Sequence, residues 1–238
     1  NVGTNLPTLA AVVAGNLYDL GEVTGLKLID VEVTGAYRRR YDMPRMGIEG
    51  TRASAGVQGR PIFGTIIKPN IGLSPEEIAA LVERLCVAGA DFIKDDEIAG
   101  THPHAPVDAR IRAVMDVVRR HRDRTGKRVM VAFNITDETD AMRRHADLLA
   151  RQEGSCAMVS LNWVGLSAVQ TLRRHTPLAI HGHRNGFGGM GRHPLLGMGV
   201  RAYQTLYRLA GIDHMHVHGM GGKFSDLDWV PIRYINKS

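Results

Sequence analysis

The 238 residues carry 30 Lys and Arg against 24 Asp and Glu, a formal charge of +6, with 44% apolar and 23% charged residues. This is the composition of a globular chain with enough apolar side chains for one large α/β domain or two small ones. No apolar run approaches ~18 residues, which excludes a helical membrane span, and 5% aromatic content is too low for a base-stacking nucleic-acid surface despite the basic balance. The N-terminus lacks a basic-then-apolar signal pattern, and the two cysteines, Cys86 and Cys156, read as reduced core thiols. A cytoplasmic location with neither membrane nor nucleic acid as partner is the expectation.

Residues 1–60 are irregular and read as a linker. Thr8 to Leu20 is apolar with a helical rhythm broken at Gly15, Leu26 to Val33 is strand-like, and Tyr41 to Gly59 shows no period and reads as a loop. From residue 61 strands and helices alternate. Phe63 to Asn70 is an apolar strand stopped by Pro69, and Ser74-Pro75-Glu76-Glu77 opens a helix with an N-cap serine, a first-turn proline and two acids. Strands follow at Phe92 to Asp96, Val129 to Asn134, Ala157 to Asn162, Leu178 to Arg184 and His214 to Gly219. Helices fall between them at Ala109 to Thr125, Thr139 to Glu153, Ser167 to His175 and Val200 to Ala210, the last preceded by a Gly-rich loop.

Within this series the stretch Asp91-Phe92-Ile93-Lys94-Asp95-Asp96-Glu97 stands out. It starts as an apolar strand and ends in one lysine and three carboxylates. Alternation along a strand puts Lys94 and Asp96 on one face, with Glu97 at the exit. Oxygen ligands at a strand end suit a hard cation such as Mg2+, provided the lysine either stays an ion-pair partner or is converted to an oxygen ligand. A polar loop with surface salt bridges is the alternative.

Continuous apolar strands separated by helices predict a parallel sheet. Lys68, Lys94, Asp96, Glu97, Asn134, Asn162, His183 and His216 all fall at or just after strand C-terminal ends, the face on which (β/α)8 TIM barrels build their sites. The predicted fold is therefore an α/β barrel, cut to about six of its eight units. His181 and His183 share one strand face, as do His214, His216 and His218, which opens a second reading as a metal-dependent hydrolase with a modified lysine.

Several of these motifs together resemble one family. Gly64-Thr65-Ile66-Ile67-Lys68-Pro69-Asn70-Ile71-Gly72-Leu73-Ser74, Lys94-Asp95-Asp96-Glu97, His183-Arg184 and Gly211 to Lys223 are similar to successive barrel motifs of the RuBisCO large-chain superfamily; Gly3 to Pro7 with Gly15-Asn16 resembles its linker into the barrel. The resemblance implies a carbamylated Lys94, formed with CO2, that binds Mg2+ with Asp96 and Glu97. It implies Lys68 and His183 as proton-transfer residues, Arg184 and His216 as phosphate contacts, Lys223 as the mobile-loop lysine and Asn5 as a substrate contact. On this alignment residues 61–226 are a partial barrel and residues 227–238 an atypical tail. The family's N-terminal domain and last two barrel strands are absent, so the chain is expected to associate, as a homodimer or higher homo-oligomer, and an inactive fragment is one outcome.

The departures set the expected reaction. Carboxylating members carry a second lysine where Asn70 stands and a histidine where Phe187 stands, and the loop Asn185 to Gly191 differs from theirs. The chain thereby resembles the non-carboxylating RuBisCO-like proteins. Retention of Lys223 favours decarboxylation of a phosphorylated oxo-sugar acid of the 3-oxo-isoapionate 4-phosphate type. The other readings are a methionine-salvage enolase or isomerase acting on a diketo-methylthiopentyl phosphate, and a genuine ribulose-bisphosphate carboxylase.

Overall fold

The computed structural model describes residues 3–217. Helix α1 (Leu6–Val13) is capped by Asn5 and followed by a short 3-10 turn at Asn16–Asp19. Next come β1 (Leu26–Leu28), α2 (Gly35–Arg38) and α3 (Gly47–Ala55). Then β2 (Gly64–Ile66), α4 (Pro75–Val87), β3 (Phe92–Lys94), α5 (Val107–Thr125), β4 (Met130–Asn134), α6 (Thr139–Arg151) and β5 (Cys156–Ser160) alternate. The series continues with α7 (Leu161–His175), β6 (Ala179–His183), α8 (Phe187–Gly191), β7 (Leu196–Met198), α9 (Val200–Leu209) and β8 (His214–Met215).

Strands β2-β3-β4-β5-β6-β8 form one parallel sheet in that order, so the expected α/β fold with about six barrel units is present. Among the described residues β2 and β8 are its open edges. The local causes are those read from the sequence. Ser74 and Glu77 form a reciprocal capping box at α4, with Pro75 at its first position. The central strands β4 and β5 are buried throughout, as a parallel sheet covered on both faces requires. No helix among the described residues is long and apolar enough to cross a membrane.

Alternation along the strands separates two cores. Ile93, Val131, Phe133, Ala157, Val159 and Ile180 pack outwards against the helices. Met130, Ala132, Cys156, Met158 and Ala179 face inwards, in one cluster with Ala55 and Val57. Helix α3 therefore covers the inner face, where the sequence predicts a loop over 41–59. Its two glycines and mixed polar residues hide any apolar period, and its entry is fixed from afar: Asp213 accepts hydrogen bonds from the Met46 and Gly47 N–H groups at 2.6 and 3.1 Å.

Three further differences are local. Asn162 lies in the first turn of α7, because β5 passes into helix without a loop. The Gly-rich segment contains α8, and β7 within it pairs in parallel with β1 as a separate two-stranded ribbon. That ribbon is tied further by Tyr18 Oη to Gly197 O at 2.6 Å and by Lys27 Nζ to the carbonyls of Gly191 and His193, both at 2.7 Å.

Charged groups also lie at the N-terminal edge of the sheet. Asp91, fully buried before β3, accepts from both Arg60 amino groups at 2.6 and 3.0 Å and from the Phe63 N–H at 3.0 Å, with Lys127 3.3 Å away. The Arg60 hydrogen bonds hold its carboxyl well below the usual range. Buried Asp213 likewise pairs with Arg173 at 3.0 Å and accepts from Ile180 N–H. Both carboxylates are saturated by partners and brace the fold.

Candidate active site at the C-terminal edge of the sheet

Lys94 is the last residue of β3 and its amine enters the inner face. It donates to the Asp95 carbonyl at 2.7 Å and lies 3.6 Å from Met158 Sδ and 3.7 Å from Glu97 Oε2. Burial pushes its pKa below the ordinary lysine range, and the carboxylates of Glu97, Asp96 and Asp95 act against that push. Asp96 and Glu97 lie beyond the strand, which stops two residues before the sequence predicts. Asn134 explains the stop: its amide Nδ2 donates to the Asp96 and Glu97 carbonyls, both at 3.0 Å, replacing ladder bonds. Its Oδ1 accepts from Thr136 N–H and Oγ1, so the buried side chain is both a turn cap and a brace for the acidic loop.

Asp95 points the other way. Its Oδ2 accepts from Arg110 Nη2 at 3.1 Å and from the Asn134 N–H at 3.3 Å. Arg110, 2% exposed, also donates to the carbonyls of Ala99, Gly100 and Ala105, at 2.6, 2.9 and 2.8 Å. One guanidinium thus gathers the whole connection from Glu97 to α5. For Asn134 the sequence offers a pocket-lining or turn-capping side chain, and its brace on the Asp96 and Glu97 carbonyls goes beyond that. Arg110 is not identified from the sequence. The available signal was a charged residue on the apolar stripe of α5, between Val107 and Ile111.

Lys68, just after β2, donates to Asp96 Oδ2 at 2.6 Å, and that bond raises its pKa. Asp96 thereby holds Lys68 as an ammonium. His183, ending β6, places Nε2 3.4 Å from Glu97 Oε2, and its ring lies 4.4 Å from that of His216. Burial lowers both imidazoles, His216 to about 3. Lys68, Lys94, Asp96, Glu97, His183 and His216 therefore converge, and Asn70 lines a small cavity with Asp96.

Other predicted residues stand apart. Asn5 Oδ1 is occupied in capping α1 through the Thr8 N–H and, among the described residues, shares no bond with the site. The Arg184 guanidinium is buried and lies 4.9 Å from the centroid of Phe187, whose ring in turn packs 4.7 Å from Tyr203. Lys223 and His218 lie outside the described residues. His181, His214 and His216 cluster on the inner face, but among the described residues no three His, Cys, Asp or Glu side chains are arranged to hold a metal. A hard cation instead fits Asp96 and Glu97 if Lys94 supplies the third oxygen donor, since its amine is close to Glu97 and burial disfavours its charge.

Comparisons with known proteins identify the family. The family described as "Ribulose bisphosphate carboxylase large chain, catalytic domain" matches residues 47–237. The chain is 50% identical over 226 residues to a 3-oxo-isoapionate-4-phosphate transcarboxylase/hydrolase of Xanthobacter autotrophicus, covering 95% of this chain and 55% of that protein. It is 39% identical over 228 residues to a 3-oxo-isoapionate-4-phosphate decarboxylase of Rhizobium etli, covering 95% of this chain and 55% of that one. The chain thus spans about half the length of these curated relatives. The crystal structure of a rubisco-like protein from Burkholderia fungorum superposes with a TM-score of 0.97 at 60% identity, covering 99% of this chain and 58% of that one. The family's match runs over most of the chain, and this chain belongs to the RuBisCO large-chain family, in its catalytic domain.

Proposed function

We propose that this chain is the catalytic barrel portion of a RuBisCO-like carboxy-lyase that forms an enolate by decarboxylating a phosphorylated oxo-sugar acid, 3-oxo-isoapionate 4-phosphate or a close analogue. The observation that carries the reading is the buried Lys94 amine beside Glu97, with Asp96 one loop residue away. Addition of the neutral amine to CO2, with loss of one proton, gives a carbamate that completes an oxygen donor set for Mg2+ with Asp96 and Glu97. Bound there, Mg2+ supplies a Lewis acid that lowers the energy of an enolate by several kcal/mol. Loss of CO2 from a 3-oxo acid leaves its bonding electron pair in that enolate, and a proton must then return to carbon. Lys68, once it leaves Asp96 Oδ2, is the ammonium placed to return it. Arg184, His216, Asn70 and Lys223 are assigned to the phosphate and carboxylate ends of the substrate.

The names of the two curated relatives support the substrate class and differ over the fate of the carboxyl group. Phe187 supports decarboxylation over CO2 fixation. It is 3% exposed and packed between Arg184 and Tyr203, so an aromatic core group occupies the position where carboxylases present an imidazole. The test is turnover of the purified protein with Mg2+. Release of CO2 from 3-oxo-isoapionate 4-phosphate is expected; turnover only of diketo-methylthiopentyl phosphate, or fixation of labelled CO2 onto ribulose 1,5-bisphosphate, would overturn the proposal.

A pH dependence follows from the buried amine. Only the neutral form of Lys94 adds to CO2, and burial lowers its pKa. Label uptake at constant dissolved CO2 is expected to rise with pH and reach half its plateau below the ordinary lysine value of about 10.4. A midpoint at or above that value would show the amine to be an ordinary solvated lysine.

A further inference from the structure

The first turn of α7 is cut off from the body of its helix. Gly165, at φ +77 and ψ 167, interrupts the helical backbone, so Leu161 to Val164 cannot rely on an unbroken ladder for their position. Two tyrosines from α9 hold the turn instead. Tyr207 Oη donates to the Leu161 carbonyl at 2.9 Å, and Tyr203 Oη donates to Asn162 Oδ1 at 2.8 Å. Both rings are buried and lie 4.7 Å apart.

Asn162 passes this constraint on. With Oδ1 taken by Tyr203, its Nδ2 donates to the Asn185 carbonyl at 2.8 Å. The Asn185 N–H in turn donates to His183 Nδ1 at 3.2 Å. An imidazole nitrogen that accepts from a backbone N–H carries no proton, so the proton of neutral His183 resides on Nε2, the atom 3.4 Å from Glu97 Oε2. The loop is seated from a second side as well. Gly186 has φ +87, and a Cβ there would lie 3.0 Å from the Trp163 indole, so Trp163 of the same turn closes over it. The donors and acceptors of Tyr203, Asn162, Asn185 and His183 follow one direction, because the Asn185 carbonyl can only accept and so turns the Asn162 amide with its Oδ1 towards the Tyr203 hydroxyl.

We propose that Asn162 and Tyr203 are positioning residues that fix the ring orientation and Nε2–H tautomer of His183. They would make His183 present a hydrogen-bond donor to the oxygen-rich side of the site. This rests on the proposed active site for its purpose but not for its test. The readout is 15N NMR of the histidine-labelled protein at one fixed pH, with the His183 signals assigned through His183→Asn. The wild type is expected to show an unprotonated Nδ1 and a protonated Nε2. Tyr203→Phe keeps the ring against Phe187 and removes only the hydroxyl, and Asn162→Asp keeps size but cannot donate to the Asn185 carbonyl.

Both variants should move the His183 signals towards tautomer averaging while the protein still melts cooperatively. They should lower kcat on the order of 10-fold with KM changed much less, as for a misplaced catalytic group. A wild-type His183 protonated on Nδ1, or variants that leave its signals and kcat unchanged, would overturn the proposal. A wild type with the predicted tautomer but no turnover of oxo-sugar-acid phosphates would sink the substrate reading and leave the positioning role standing.

Discussion

Replacing Lys94 with alanine is expected to abolish Mg2+-stabilised CO2 labelling and to lower turnover by at least ~10³-fold, the scale of losing several kcal/mol of Lewis-acid stabilisation. The variant should nevertheless fold, because the buried amine is a cost to the apolar inner face, offset in part by Asp95 O, Met158 Sδ and the nearby carboxylates of Glu97, Asp96 and Asp95. Lys94→Arg discriminates further. A guanidinium keeps the charge beside Glu97 but does not form the carbamate, so a pure ion-pair role predicts near-normal activity for Lys94→Arg and the proposed role predicts none. Trapping of labelled CO2 with and without Mg2+, read beside steady-state rates, separates the two. Label in the alanine variant equal to wild type would place the modification on another amine.

The largest stability effect is expected at Arg110. Arg110→Met retains stem volume but leaves Asp95 buried without its cation and strips three carbonyls of their donor, which should cost about 3–5 kcal/mol. Urea denaturation measures it. The pH dependence carries a sign. Burial already pushes the Asp95 carboxyl up, and Arg110 opposes that push. In the variant the folded-state pKa rises further above the unfolded value, so the folded protein binds the extra proton. The deficit should be smallest below about pH 4 and grow as pH rises through the raised folded-state pKa. Asp95→Asn in the same background should recover part of the loss. A deficit under ~1 kcal/mol would mean that the connection from Glu97 to α5 does not depend on this guanidinium.

What the sequence reveals and what it hides divide along physical lines. From β2 onwards, apolar strands with capped helices between them place every main-sheet strand, and strand-end polarity identifies the edge that carries Lys94, Asp96, Glu97 and His183. The parts that escape are held by contacts remote in sequence. Helix α3 is started by a carboxylate, Asp213, more than 160 residues away. β1 finds its partner only in β7. Asp96 leaves the strand because an amide on the neighbouring strand takes its carbonyl. Asn162 reads as a strand end because nothing in its neighbours signals that helix begins at Leu161. Local pattern records propensity and periodicity, whereas these features depend on which polar group satisfies which.

The β1–β7 ribbon bears on the order in which the molecule is built. Its strands come from near the two ends of the described chain, so pairing them closes a loop that contains almost the entire sheet. Loop-closure entropy is lost before three residue pairs of ladder can offset it, whereas the steps of the main sheet from β2 to β6 each join neighbours one helix apart. Loop-closure entropy thus favours late formation and early release of the ribbon, a clasp beside the main sheet. Because β7 belongs to the connection that leaves His183 and Arg184, that clasp ties the lead-in segment to the loop bordering the catalytic edge. The order of the loop that follows His183 and Arg184 is thereby coupled to that of the lead-in segment.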